Sequence, residues 1–207
     1  MDKIKYLEKE LFKIKNGFKI IEKQAKTDYS NYTDLEIRNL AYKSYKSKIY
    51  QVRMYGVFLL GYLSGNTQEL DFLRDEVSKD ENWRVQEILA KSFNEYCSKF
   101  GYEKSLTIIE NWLENNNPNT RRAVTEGLRI WTNRPYFKEN PKEVILRLSI
   151  LKEDESEYVR KSVGNVIRDI SKKHPILINE ELKTWKLNNK KIIQVYKLAN
   201  KFIQEEK

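Results

Sequence analysis

One pattern recurs four times along this chain: YQVRMYGVFLLGYL (50–63), NWRVQEILAKSF (82–93), PNTRRAVTEGLRIW (118–131) and SEYVRKSVGNVIRDI (156–170). Val52, Val85, Thr120 and Val159 fall in register, at separations of 33, 35 and 39 residues. Arg53, Arg121 and Arg160 follow directly, with Gln86 in the remaining copy. Apolar residues return four positions after the register and again about three later, the spacing of a helix with one buried stripe. A unit of this length cannot bury its stripe alone and must stack on its neighbours.

Between the copies lie further amphipathic stretches, TQELDFLRDEVSK (67–79), EKSLTIIENWLEN (103–115) and PKEVILRLSILKE (141–153), each followed by a polar break. The unit is therefore helix, turn, helix, and the expected fold is all-α, an α-solenoid of HEAT-like repeats. With only 7 Gly and 4 Pro, the composition disfavours a many-stranded barrel or sandwich. The whole of 1–207 reads as one domain, with capping helices over 1–46 (around 2–15, 17–27 and 32–46), repeats over 47–180 and a capping helix over 181–207.

Lys and Arg total 39 against 30 Asp and Glu, a net charge of +9 that favours polyanionic partners but also fits a lysine-rich soluble protein. The longest apolar run, GVFLLGYL (56–63), is far short of the ~18 residues a membrane span needs. The start, MDKIKYLEKELFKIK, has no signal-like apolar core, so the expected location is cytoplasmic, away from membranes. Cys97 is the single cysteine and His174 the single histidine. No Gly-rich phosphate loop accompanies them, so zinc ligation and His-assisted nucleophilic catalysis are disfavoured.

Three carboxylates stand out in the repeat register. Glu87 follows Val85 by two, Glu126 follows Thr120 by six and Asp169 follows Val159 by ten, offsets that step by one helical turn. In stacked repeats they would converge on one concave surface. Basic residues interleave there with Trp83, Trp131, Tyr136, Phe137 and Tyr158, as a nucleic-acid surface requires. The spacing alone leaves three readings open: catalysis, nucleic-acid binding without catalysis, and a protein-interaction scaffold. Arg–Glu pairs one turn apart also occur on ordinary solvated helices.

At WRVQEILAKSF, NPNTRRAVTEGLR and SEYVRKSVGNVIRDISKKHP, the sequence resembles the DNA alkylation repair family of HEAT-like glycosylases, the AlkC/AlkD superfamily, on its AlkC side. The resemblance covers roughly residues 45 to 180. It implies an α-solenoid that cradles duplex DNA in a basic concave groove and hydrolyses the N-glycosidic bond of cationic N3- or N7-alkylated purines, with neither metal nor organic cofactor. It maps family acids onto Glu126 and Asp169, with Glu87 as the third. Trp83, Trp131 and Tyr136 are the implied lesion-contacting aromatics. Arg84, Arg121, Arg122, Arg129, Arg160 and Lys161 are the implied DNA-backbone contacts, although Arg121 and Arg160 would serve equally to brace adjacent repeats. A monomer is expected.

The chain departs from the family pattern in the Glu87–Glu126 spacing, which at 39 residues is about four longer than the pattern, and in two further places. Arg134 stands eight residues after Glu126, where the family has an aromatic residue. The last motif reads Val166-Ile167-Arg168-Asp169 where the family has His-x-Asn-Asp. Some members of the superfamily are implied to bind DNA without excising a base, which is the alternative function.

Overall fold

In the computed structural model, which describes residues 2–203, every regular element among those residues is helical. No helix among them is long and apolar enough to cross a membrane. Cα packing divides the chain into two compact units, Met1–Gly101 and Tyr102–Lys207.

The N-terminal unit holds α1 (Lys3–Leu11), α2 (Lys19–Asn31), α3 (Asp34–Tyr45), α4 (Tyr50–Leu63), α5 (Thr67–Asp75) and α6 (Trp83–Phe100). Three of these starts, those of α1, α3 and α6, carry side-chain caps. Asp2 and Asn82 accept from backbone N–H groups two residues on, and Thr33 forms a reciprocal capping box with Glu36. The apolar run at 56–63 belongs to α4, which is buried on nearly all sides because α2, α3 and α6 pack around it. A Cβ on Gly61 would lie 2.6 Å from Ser92 Oγ, so glycine is what lets α4 and α6 approach this closely. A buried carboxylate ties the first helices to this core: Asp28 accepts from Lys3 (2.9 Å), Gln24 (2.9 Å) and the Tyr55 hydroxyl (2.7 Å).

The C-terminal unit holds α7 (Leu106–Leu113), α8 (Pro118–Gly127), α9 (Pro135–Glu139), α10 (Pro141–Ile150), α11 (Glu157–Ser171), α12 (Pro175–Lys183) and α13 (Lys190–Ala199). Helices α8, α11 and α13 pack in succession. Prolines 118, 135, 141 and 175 each stand at the first turn of a helix, where the missing N–H costs nothing. Of the expected C-terminal capping segment, residues 204–207 lie outside the described residues.

One expected helix is shorter than its pattern. The 118–131 motif leaves the α conformation after Gly127, and Ile130 takes left-handed dihedrals, φ 59° and ψ 49°. Trp131 then opens a short 3-10 turn and faces inward onto Phe137, with ring centroids 4.9 Å apart. The Arg134–Pro135 step ends that 3-10 turn, since a residue before proline is pushed out of the α region.

The register residues Val52, Val85, Thr120 and Val159 are all fully buried. The arginines after them share one geometry within their units. Arg53 pairs with Asp80 (Nε–Oδ2 2.6 Å, Nη2–Oδ1 3.1 Å), while its Nη1 donates to the carbonyls of Ser47 and Lys48. Arg121 does the same with Asp154 (2.6 and 2.7 Å) and the carbonyls of Asn115 and Asn116. Arg160 reaches Gln194 (2.8 Å) and the carbonyls of Asp154 and Glu155. Each guanidinium thus closes the turn before its own helix and clasps the next repeat. In the copy without arginine, Gln86 donates to the carbonyls of Val77 and Asp80.

Candidate functional site

In the C-terminal unit, Glu126 from the end of α8 and Asp169 from α11 are brought together, but by an arginine. Arg129 reaches Asp169 Oδ2 through Nη2 (3.1 Å) and Nε (3.2 Å), and Glu126 Oε2 through Nη1 (3.5 Å). Arg168 and Lys172 approach the other Asp169 oxygen at 3.3 and 3.5 Å. Burial pushes the Asp169 carboxyl up, yet the hydrogen bond and charge of Arg129, joined by Arg168, outweigh it and hold it below the usual range. Two carboxylates expected to await a sugar cation are therefore already neutralised by a protein cation.

The other expected residues of this unit divide by burial. Trp131 is fully buried and presents no ring face at the surface; its place is the core, contrary to a lesion contact. Half-buried Tyr136 packs edge-on against Phe137 at 5.3 Å in the same cluster. Arg121 and Arg160 are committed to the braces described above. For Arg121, four of the five N–H donors are engaged, which corrects a backbone-contact role in favour of repeat bracing. Lys161 is exposed and pairs with Glu157 at 2.7 Å, one turn back on α11. Arg122 and Arg134 are half-buried, and among the described residues neither meets a carboxylate.

The N-terminal unit offers a different arrangement. Trp83, the first residue of α6, is 62% exposed. The Arg84 guanidinium carbon lies 4.4 Å from the Trp83 ring centroid and 5.3 Å from that of Tyr50, the first residue of α4. One turn along α6 from Trp83, Glu87 is exposed and forms no ion pair or hydrogen bond with any described side chain. An open aromatic face that holds a cation thus stands one helical turn from an uncommitted carboxylate. Tyr50 was not anticipated as part of this group. The signal was present, since Tyr50 and Trp83 both precede their register valines by two residues.

These features define an all-α, HEAT-like repeat protein with cation-bearing aromatic surface. A family model described as DNA alkylation repair enzyme matches residues 17–194, and the chain belongs to that family. It is 61% identical to AlkD2 from Streptococcus mutans over 98% of both chains, with a TM-score of 0.97. The alkylpurine DNA glycosylase AlkC from Pseudomonas fluorescens, solved bound to DNA containing an abasic site analog, shares the fold at 21% identity and a TM-score of 0.52. That match covers 96% of this chain and 61% of AlkC. Of these two, the stronger likeness is to AlkD2 rather than on the AlkC side that the motifs favoured. The uncharacterised YhaZ of Bacillus subtilis is 40% identical over 87 residues, which is 40% of this chain and 24% of YhaZ.

Proposed function

We propose that this protein binds duplex DNA and hydrolyses the N-glycosidic bond of cationic N3- or N7-alkylated purines, with Glu87 and Trp83 at the reacting centre. The observation that carries this reading is the exposed Trp83 ring, one turn from an uncommitted Glu87 and already stacked on the Arg84 cation at 4.4 Å. An alkylated purine is itself a flat cation, and an aromatic face attracts it as it attracts a guanidinium. Alkylation has weakened the glycosidic bond before the protein acts. The departing base leaves positive charge on the sugar, which a free carboxylate stabilises while it orients the attacking water. Glu126 and Asp169 suit that role less well, because Arg129 already neutralises them.

A second reading, DNA binding without excision, is favoured by a separate observation. The Arg129 clamp and the buried Trp131 remove three of the residues expected at a glycosylase site. Base release from duplex containing 3-methyladenine or 7-methylguanine, measured at enzyme excess, separates the two. Excision by the wild type that falls roughly 100-fold or more in Glu87→Gln, and far less in Glu126→Gln or Asp169→Asn, supports the first reading. Duplex binding with no released base establishes the second. Full rate in Glu87→Gln overturns the assignment of the carboxylate.

A further inference from the structure

The N-terminal unit carries a second aromatic surface that excision of a base from duplex DNA does not use. Helix α4 packs between α2 and α6, and two lysines of α6 reach across to rings of the α2 segment. Lys91 Nζ lies 4.2 Å from the ring centroid of Phe18, the residue that caps α2. Two turns further along α6, about 12 Å on, Lys99 Nζ lies 5.4 Å from the Tyr29 ring and donates to the Tyr62 carbonyl at 2.6 Å. Tyr29 and Tyr62 are themselves 5.2 Å apart with planes tilted by 45°. All three rings are half-buried, and neither lysine joins an ion pair among the described residues.

A core aromatic cluster would bury these rings, and a phosphate-binding surface would concentrate cations without acids. This strip does neither. Its rings are partly open and spaced along the helices, and its two lysines are offset by Glu22 and Glu95 close to Tyr62. Burial first, then those two carboxylates, pushes the Tyr62 phenol up to about 12, so it remains a neutral hydrogen-bond donor near neutral pH. Open rings with few net charges favour a ligand that offers flat, unstacked faces. Paired bases inside a duplex do not offer them, whereas the bases of an unpaired strand do.

We propose that the face formed by Phe18, Tyr29, Tyr62, Lys91 and Lys99 binds single-stranded nucleic acid by stacking its bases, with the lysines contacting its phosphates. The inference is independent of the excision reading. Undamaged strands are its ligand and affinity is its readout, so either reading can fail alone.

The test is fluorescence anisotropy of the full chain with labelled oligo(dT), oligo(rU) and an undamaged duplex of equal length. Both single strands are expected to bind more tightly than the duplex near physiological salt. Their affinity should fall by less than about 10-fold between 50 and 200 mM salt, because stacking carries it, whereas a surface neutralising six to ten phosphates loses about 10³–10⁵-fold. Tyr29→Ser should weaken both single strands by about 10-fold. Lys91→Met, which leaves every ring in place, should weaken them less and flatten the salt dependence further. The tighter of oligo(dT) and oligo(rU) identifies the natural strand as DNA or RNA. A tighter duplex, no single-strand binding at low salt, or unchanged affinity in a folded Tyr29→Ser protein overturns the proposal. If Tyr29→Ser does not fold by circular dichroism, Lys91→Met and the salt profile decide it: a steep profile abolished by Lys91→Met shows a phosphate surface and overturns it equally.

Discussion

Arg129 and Asp169, forty residues apart in sequence, are joined by two hydrogen bonds, Nη2 at 3.1 Å and Nε at 3.2 Å from one carboxylate oxygen. Within α8 and its continuation, Arg129 had the spacing of a surface partner for Glu126 or of a DNA contact. Its stronger link is to the next repeat helix, and Glu126 takes the remaining nitrogen at the longer distance of 3.5 Å. The pair acts as a strap between α8 and α11.

That strap makes stability pH-dependent in a defined direction. The folded-state pKa of Asp169 lies below its ordinary value near 3.8, so the ionised carboxylate is favoured by folding. Its contribution is full above the unfolded carboxylate range and is lost as pH falls through the depressed folded value. Arg129→Met should cost about 1 kcal/mol at pH 7, a modest amount because Arg129 is 43% exposed. The gap between wild type and variant should narrow below about pH 4. Urea unfolding from pH 7 to pH 3 measures both; a gap that is constant across that range contradicts the strap.

Ile130 supplies a second expectation. It is the one non-glycine residue at positive φ among the described residues, and a β-branched side chain there is strained. Ile130 is also 40% exposed, so little burial is lost when it is replaced. Ile130→Gly should therefore raise stability by about 0.5–1 kcal/mol, even though glycine normally weakens a chain through its unfolded state. A lowered thermal midpoint would mean that the Ile130 side chain holds the turn that carries Arg129 and Trp131.

Much of the fold was legible in the chain because the repeat register is a packing constraint. Val52, Val85, Thr120 and Val159 recur because each must enter the core, and all are fully buried. The candidate site was less legible, for a physical reason. Helical spacing shows which residues share a face but not which partner on the neighbouring helix reaches them first. Glu87, Glu126 and Asp169 were expected to converge by their spacing, yet nothing within α8 or α11 showed that Arg129 would lie between the last two. Helical spacing put Trp131 on the buried stripe with Val124 and Leu128; the lesion contact came from the resemblance, and the ring lies in the core although the chain turns left-handed at Ile130. By contrast, Trp83, Arg84 and Glu87 lie within one helix, so their nearness to one another follows from spacing alone.

The crossing of α4 and α6 permits a sharp test of packing. A Cβ at position 61 would meet Ser92 Oγ at 2.6 Å, Cβ at 2.7 Å and Cα at 3.0 Å, so the backbone itself must give way. Ser92 cannot simply rotate aside without losing its buried hydrogen bond to the Val57 carbonyl, 2.9 Å away. Gly61→Ala should cost about 1–3 kcal/mol despite alanine's higher helix propensity. A urea midpoint equal to wild type would show that the two helices are free to separate.

The arginine braces carry the last expectation. Asp80, Asn115 and Asp154 each stand five residues before a register position. The acid pairs with the preceding repeat's arginine in two cases, Arg53 with Asp80 and Arg121 with Asp154. Where Gln86 follows the register valine, the position equivalent to Asp80 and Asp154 in the next copy is Asn115, an amide in place of an acid. Breaking one side of a nearly buried pair strands the other charge. Arg121→Gln alone should cost about 3 kcal/mol, since Asp154 is only 4% exposed and retains just its backbone bond from Ser156. Adding Asp154→Asn removes the stranded charge. The double variant should therefore be more stable than Arg121→Gln, recovering about half or more of the loss, with a coupling of about 1–3 kcal/mol in the cycle. Urea unfolding of the four proteins in the cycle measures this. If the losses simply add, the guanidinium acts mainly through the carbonyls of Asn115 and Asn116, and the ion pair contributes little.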